Sequence, residues 1–349
     1  MPVLNMANKE QVQKYNNFVR NCKGASLMQD LAWGKVKKDW KQEAVYIEEN
    51  SKIVAAMTIL LEKVPGINSY LMYSPRGPVG DIKQLEDLIK EAEPLVKKYN
   101  AFLLKFDPEI KNNESLIKDL RELGYKVLDK DTNKDSLIQP IYNMILDIEN
   151  KTQEDLLKQF SEKTRYNIKL ARKKAVNVRY SQSKEDLKIF YELYKVTTIR
   201  DKIGCRAYEY FETLLDSYDN ENIRIYIASH EEDNLSAAIA INYGGKLFYI
   251  YGASSNEKRN LMPNYLLQWE MICWGLETKC NNYDFGGVLI LDKENGLYKF
   301  KSGFCKKEGV TEYIGEVDVI YKKHIYYMYT KGLPLMRKFI RFVRKLKLN

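Results

Sequence analysis

One order of strand and helix signals occurs twice in this 349-residue chain, displaced by about 180 residues, and that repeat constrains the fold more than any single motif. In the first copy, Ala44 to Ile47 alternates in strand fashion and turns at Asn50 and Ser51. A second apolar run, Ile53 to Leu61, follows. A loop holding Pro65 and Gly66 leads to the strand signal Ser69 to Tyr73. A helical stretch from Asp81 to Tyr99 comes next, then a buried strand from Ala101 that ends on the acid Asp107. The second copy repeats this with Ile225 to Ser229, a turn at Asp233 and Asn234, and Leu235 to Asn242. A Gly244-Gly245 hairpin, Lys246 to Tyr251, a helix over about Asn264 to Lys279 and the strand end Tyr283 to Phe285 complete it. Period-two segments interleaved with period-3.6 segments predict two units with mixed sheets, an α/β fold.

Length permits two proper cores, and no run of eighteen apolar residues suggests a membrane span. The N-terminal residues MPVLNMANKEQ lack the basic and apolar regions of a secretory signal, so the cytoplasm is the expected compartment. Five cysteines (Cys22, Cys205, Cys273, Cys280, Cys305) are scattered without metal-ligand spacing and read as free thiols; no metal site is expected. With only His230 and His324 in the chain, a histidine-activated nucleophile is a poor expectation.

The net charge of +9 is concentrated. Residues 163–184 carry eight Lys or Arg and no acid, and residues 331–349 carry seven and no acid, so the remainder is mildly acidic. Two basic elements on such a body point to polyanionic partners. In the first, Arg165, Lys169, Arg172 and Lys173 share one face of a helix spanning 163–175. That face suits phosphates read without sequence, where a solvated surface helix is the plain alternative. In the second, Pro334 opens a helix with a Leu335, Phe339, Phe342 and Leu346 stripe against Arg337, Lys338, Arg341, Arg344 and Lys345. It fits a helix lying on anionic lipid equally with one docked on the core.

Two further stretches carry candidate chemistry. From Leu31 to Trp40, helical spacing puts Trp33, Val36, Lys37 and Trp40 on one side, a lysine flanked by two tryptophans. From Asn282 to Phe304, a strand end is followed by Gly286 and Gly287, which permit a turn and close approach. The run Leu297 to Phe304 then alternates, so a strand there would send Lys299 and Lys301 to one face.

The ordered set Trp33-Gly-Lys-Val-Lys37, Ser74-Pro-Arg-Gly-Pro78, Phe106-Asp107-Pro108, Lys163-Thr-Arg165, Arg206-Ala-Tyr-Glu-Tyr210, Tyr251, Asp284-Phe-Gly-Gly287, Phe300-Lys301 and Tyr313-Ile-Gly-Glu-Val resembles the FemABX peptidyltransferases, the short FemX type above all, to about residue 320. The resemblance implies two duplicated acetyltransferase-like (GNAT-like) domains around a cleft. The first would comprise residues 1–145 plus 317–349 and the second 146–316. It implies transfer of an amino acid from an aminoacyl-tRNA to the side-chain amine of a peptidoglycan precursor's stem pentapeptide, by a monomer needing no cofactor. The acceptor would be a UDP-muramoyl-pentapeptide or a lipid-linked precursor, the latter met through peripheral contact with the anionic inner membrane face. Lys37, Arg206, Tyr210 and Tyr251 would hold the precursor, Asp107 would lie near the reacting amine, and Phe300 and Lys301 would stabilise the ester under attack. The coiled arm of the staphylococcal relatives is expected to be missing.

The chemistry agrees with what the chain lacks. An ester is already activated and an amine is already a nucleophile, so the site needs proximity, loss of one proton and a cation at the developing oxyanion. Two other readings share parts of this evidence. An acyl-CoA-dependent N-acyltransferase would share the fold, but it calls for a glycine-rich pyrophosphate loop. The matching stretches, Pro78 to Asp81 and Arg259 to Asn264, hold one glycine and none. A non-enzymatic tRNA- or membrane-binding protein would use the two basic elements alone.

Overall fold

The computed structural model describes residues 3–132 and 137–332. The basic stretch 334–348 lies outside the described residues. In chain order the first half holds α1 (Lys9–Asn21), α2 (Leu31–Val36), β1 (Lys41–Glu49), β2 (Lys52–Lys63), β3 (Tyr70–Ser74), β4 (Val79–Gly80), α3 (Leu85–Lys98), β5 (Leu103–Phe106), α4 (Glu114–Glu122) and β6 (Lys126–Leu128). Next come β7 (Tyr142–Asp147), α5 (Gln153–Gln159), α6 (Glu162–Lys173), β8 (Asn177–Ser181), α7 (Lys184–Asp201), α8 (Tyr208–Asp216), β9 (Ile223–His230) and β10 (Asp233–Tyr243). The chain continues through β11 (Lys246–Ser254), α9 (Pro263–Glu277), β12 (Asn282–Val288), α10 (Gly296–Phe304), β13 (Thr311–Glu312), β14 (Glu316–Ile320) and α11 (Lys323–Tyr327).

The expected duplication is present. One sheet runs β1-β2-β3-β5-β14-β6 with β4 on β2; the other runs β13-β7-β12-β11-β10-β9-β8. In each, an antiparallel hairpin (β1–β2, β9–β10) leads to a third strand, then through a helix to a parallel neighbour (β3–β5, β11–β12). The fifth position is filled by an antiparallel strand from outside the repeat: β14 on β5 and β7 on β12. Thus β14, late in the chain, belongs to the first sheet. The expected division at residue 145 cuts through β7, which lies wholly in the second.

Burial explains how the sheets face one another. Helices α3 and α4 cover one face of the first sheet through Leu88, Ala92 and Leu120. The outer face of the second is covered from α6 and α9, with Ile168, Trp269 and Trp274 among the buried residues. Between the sheets lies a shared core in which Tyr15, Val19 and Trp33 from the first half join Phe190, Phe211 and Ile239 from the second. A core common to both halves fixes the two sheets relative to each other and leaves a cleft where that packing stops.

Two local expectations fail. Leu297 to Phe304 is not a strand but helix α10, capped by the Asn295 side chain, which accepts from the backbone N–H groups of Leu297 and Tyr298. A helix turns Lys299 and Lys301 about 200° apart rather than onto one face, leaving Lys299 exposed and Lys301 buried. The Gly286-Gly287 pair does not end β12 but forms a bulge within it, where Phe285 and Gly286 together oppose a single β7 residue. Gly286 adopts φ +74°, and a Cβ on Gly287 would lie 2.3 Å from Pro140. A third is shortened: α2 stops at Val36, so Lys37 is its C-cap and Trp40 lies beyond it.

Candidate active site

A cleft of about 530 Å³ opens between the sheets, lined by Trp33, Lys37, Trp40, Tyr73 and Arg76 from the first half and Arg206, Tyr249, Tyr251, Asp284, Gly286 and Gly287 from the second. The two ends differ in chemistry.

At one end, the expected precursor residues come together from four elements. The Lys37 ammonium lies 5.4 Å from the Trp33 ring centroid and 5.5 Å from that of Tyr210. Arg206 stacks over Tyr210 at 4.6 Å, and Tyr251 donates its hydroxyl hydrogen bond to the Tyr210 oxygen at 2.9 Å. Burial, then repulsion from Arg206, brings the Lys37 ammonium down to a pKa of about 8. Two cations on an aromatic floor, with no carboxylate paired to either among the described residues, form an anion-binding arrangement.

At the other end, the groups form a chain that crosses from sheet to sheet. Asp107 is 2% exposed. It accepts from the Tyr73 hydroxyl at 2.7 Å and from the Arg76 backbone N–H at 2.5 Å. Burial raises its pKa to about 7 against the opposing charge of Arg76. Asp107 reaches the cleft through Tyr73 and Arg76, which line it. The Arg76 guanidinium donates to the Pro140 carbonyl at 3.0 Å and the Asn143 side-chain oxygen at 3.4 Å, and lies 4.0 Å from Glu109. Asn143 in turn donates to Asp284 at 3.4 Å, and Asp284 accepts from the Gly286 N–H at 2.7 Å. Lys246 at the start of β11 pairs with Glu109, tying the second sheet to the first.

Lys301 sits behind the bulge. It is 5% exposed, and its ammonium donates to the Gly287 carbonyl at 2.9 Å. Burial lowers its pKa to about 8, with Asp284 acting in the opposite sense. Phe300 is not among the residues lining the cleft; it packs edge-on against Tyr265 at 4.9 Å and Phe304 at 5.4 Å.

The basic face of α6 is less uniform than its sequence. Arg165 turns back to cap the carbonyl of Phe160 at 2.6 Å, and Arg172 pairs with Glu270 of α9 at 2.9 Å. The acid missing from the local sequence is therefore supplied by another helix. Lys169 and Lys173 are exposed.

Sequence reasoning missed Arg76, Glu109, Asn143 and Lys246. Arg76 had a sequence signal, its place inside Ser74-Pro-Arg-Gly-Pro78; the structure adds a φ of +52°, uncommon for a residue with a side chain. The other three become visible only when the sheets meet.

Comparison with known proteins accords with this geometry. The FemAB family model matches residues 11–234 and 229–331. The chain is 34% identical, over 93% of its length and 98% of the relative's, to the UDP-N-acetylmuramoylpentapeptide-lysine N(6)-alanyltransferase of Weissella viridescens. It is 29% identical to the lipid II:glycine glycyltransferase of Staphylococcus epidermidis, over 96% of this chain and 98% of the relative. The crystal structure of FemX superposes with a TM-score of 0.81 at 25% identity, over 92% of this chain and 98% of that one. Two acetyltransferase-like α/β units around a cleft are the fold.

Proposed function

The chain belongs to the FemAB family, and on that premise we propose that it transfers an amino acid from an aminoacyl-tRNA to the side-chain amine of a peptidoglycan precursor's stem pentapeptide. It is a transferase of cross-bridge formation, as its curated relatives are. The observation that carries the reading is the two-ended cleft. A cationic, aromatic end suits the precursor's diphosphate, and behind the wall of the other end lie a carboxylate reached through Tyr73 and Arg76 and a buried ammonium bonded to the Gly287 carbonyl.

In this reading Lys37 and Arg206 neutralise the diphosphate while Tyr210 and Tyr251 position it. The acceptor amine attacks the ester carbonyl carbon, a new C–N bond forms, and the ester C–O bond breaks. The amine loses one proton and the departing ribose hydroxyl gains one. Asp107 orients Tyr73 and takes or relays the amine's proton; its pKa of about 7 suits an exchange near neutrality. The Lys301 ammonium stabilises the oxyanion from behind the Gly286-Gly287 bulge, where low polarity strengthens its field. Lys169 and Lys173 of α6 offer phosphate contacts to the tRNA, with Arg165 and Arg172 already engaged. The protein works in the cytoplasm, and residues 334–348 add a peripheral membrane contact to a lipid-linked acceptor.

An acyl-CoA donor is disfavoured at both helix starts that would cradle its pyrophosphate. Asp81 places a carboxylate on the Lys83 N–H, and the approach to α9 passes through Lys258 and Met262 at positive φ without a glycine. The test is mass spectrometry of a UDP-muramoyl-pentapeptide and of its lipid-linked counterpart, each incubated with mixed aminoacyl-tRNAs or with acetyl-CoA. A mass gain of one amino acid only with tRNA is expected; acetylation, or no transfer to either acceptor with any tRNA, overturns the reading.

A further inference from the structure

The surface beside Arg206 is apolar where a nucleotide would want it polar. On the last turns of α7, Leu193, Tyr194, Thr197 and Thr198 point into the core, while Val196 is 41% and Ile199 79% exposed on the outer side. The helix ends at Lys202 in the left-handed conformation, and Ile203 follows at 55% exposure. Residues 195–206 carry four basic side chains and one acid; Lys195 pairs with Glu192 at 2.7 Å and Arg200 with Asp201 at 2.9 Å, which leaves Lys202 and Arg206 without a carboxylate partner among the described residues. The segment is held firmly: Thr197 accepts from the Ser254 N–H at 2.8 Å, Arg200 donates to the Ser254 carbonyl at 3.0 Å, and Tyr194 packs edge-on to Tyr251 at 6.2 Å. Three large aliphatic side chains are thus presented to solvent beside the cations Lys202 and Arg206, continuous with the anion-binding end of the cleft.

We propose that Val196, Ile199 and Ile203, flanked by the unpaired cations Lys202 and Arg206, are a docking surface for an anionic lipid bilayer. The inference rests on the reading of Lys37 and Arg206 as the diphosphate holders. A nucleotide-linked acceptor continues past its diphosphate into polar sugar and base. A lipid-linked one continues at once into hydrocarbon, which must stay in the membrane, so the diphosphate site has to lie at the lipid surface. Exposed aliphatic side chains among Lys and Arg supply both terms of such binding, apolar insertion and attraction to anionic headgroups. A nucleic acid would be drawn to the cations but has no use for a side chain as exposed and apolar as Ile199. The surface selects the lipid-linked form of the acceptor and sets the cleft's orientation, with the Arg206 end toward the membrane.

Cys205, in the same loop, is the one exposed cysteine among the five and allows a site-specific test in the full chain. A polarity-sensitive thiol dye is attached at Cys205 in a Cys22→Ser background, and vesicles of mixed phosphatidylglycerol and phosphatidylcholine are added, with phosphatidylcholine alone as control. The expected result is a blue shift with anionic vesicles only. Ile199→Ser/Ile203→Ser should lose vesicle affinity by about tenfold or more, and Lys202→Glu should weaken binding and flatten its salt dependence. A dye that stays in water while the protein sediments with vesicles would assign binding to another element, such as residues 333–349, and overturn the proposal. Vesicle binding unchanged by the double variant would do the same, as would a doubling of mass by light scattering that alone shifts the dye. Transfer to the soluble nucleotide-linked and to the lipid-linked precursor is assayed in parallel on unlabelled protein. Insertion without transfer to either would sink the proposed reaction and leave the surface standing; transfer without insertion would sink the surface alone.

Discussion

Glu109, just beyond β5 of the first sheet, and Lys246, which opens β11 of the second, form a buried ion pair that joins the two halves along the cleft. Burial alone would lower the pKa of the Lys246 ammonium, but Glu109 and Asp284 outweigh it and hold the pKa above the ordinary value. Because Arg76 and Asn143 extend this pair to Asp107 on one side and Asp284 on the other, the spacing of the reacting groups depends on it.

Breaking that pair by removing one partner leaves an uncompensated buried charge. Glu109→Ala or Lys246→Met should each cost about 3–5 kcal/mol of stability. The double variant should cost less than the sum, since neither charge is then stranded. Urea unfolding of the four proteins measures this; strictly additive losses would mean that the pair does not bridge the sheets in solution.

Lys301→Ala should lower kcat about a hundredfold or more, roughly 2.7–4 kcal/mol of transition-state stabilisation, with precursor KM nearly unchanged. Steady-state kinetics with a fixed aminoacyl-tRNA decides it. Unchanged turnover would remove Lys301 from the mechanism.

The pH profile follows from the two perturbed groups at that end. If the Asp107 carboxylate takes the proton, kcat rises through about pH 7. If the Lys301 ammonium faces the oxyanion, kcat falls through about pH 8, giving a narrow bell. Stability carries its own signature. Folded Asp107 keeps its proton up to about pH 7, whereas the ordinary value is 3.8. Its contribution is therefore complete below about pH 4 and lost as pH rises through 7. Asp107→Asn should flatten that decline in unfolding midpoints measured from pH 4 to 8, and should abolish the acid limb of the bell. An acid limb that persists in the variant would assign it to another group.

Lys37→Ala and Arg206→Ala should raise the precursor KM and flatten its salt dependence while leaving tRNA affinity unchanged. A change confined to tRNA affinity would show that the partners have been assigned to the wrong ends.

Reversing Lys169 and Lys173 together should weaken binding to every tRNA about equally, as phosphate contacts do. Arg165→Ala should instead lower the melting temperature, because its guanidinium caps the carbonyl of Phe160. Filter binding over several tRNA species separates these outcomes; a loss restricted to one species would imply base readout.

The amino-acid sequence by itself determined what local periodicity and residue supply can determine. Strand alternation, helical spacing and turn residues act over a few positions, so both copies of the repeat were legible, although Asp107 follows the end of β5 whereas Asp284 lies inside β12. Lys37, Arg206, Tyr210 and Tyr251 were named before they met, because the resemblance to the FemABX enzymes implied them. Tertiary structure decided the rest. Leu297 to Phe304 alternates like a strand yet forms a helix, because the Asn295 cap and the packing of Phe300 and Phe304 on Tyr265 outweigh β propensity. Arg172 is neutralised by Glu270, 98 residues away, and Lys246 by Glu109, 137 residues away. No local pattern encodes such a pair. The Lys246 charge is tolerable at its largely buried site only once the fold has delivered Glu109, and that delivery is non-local.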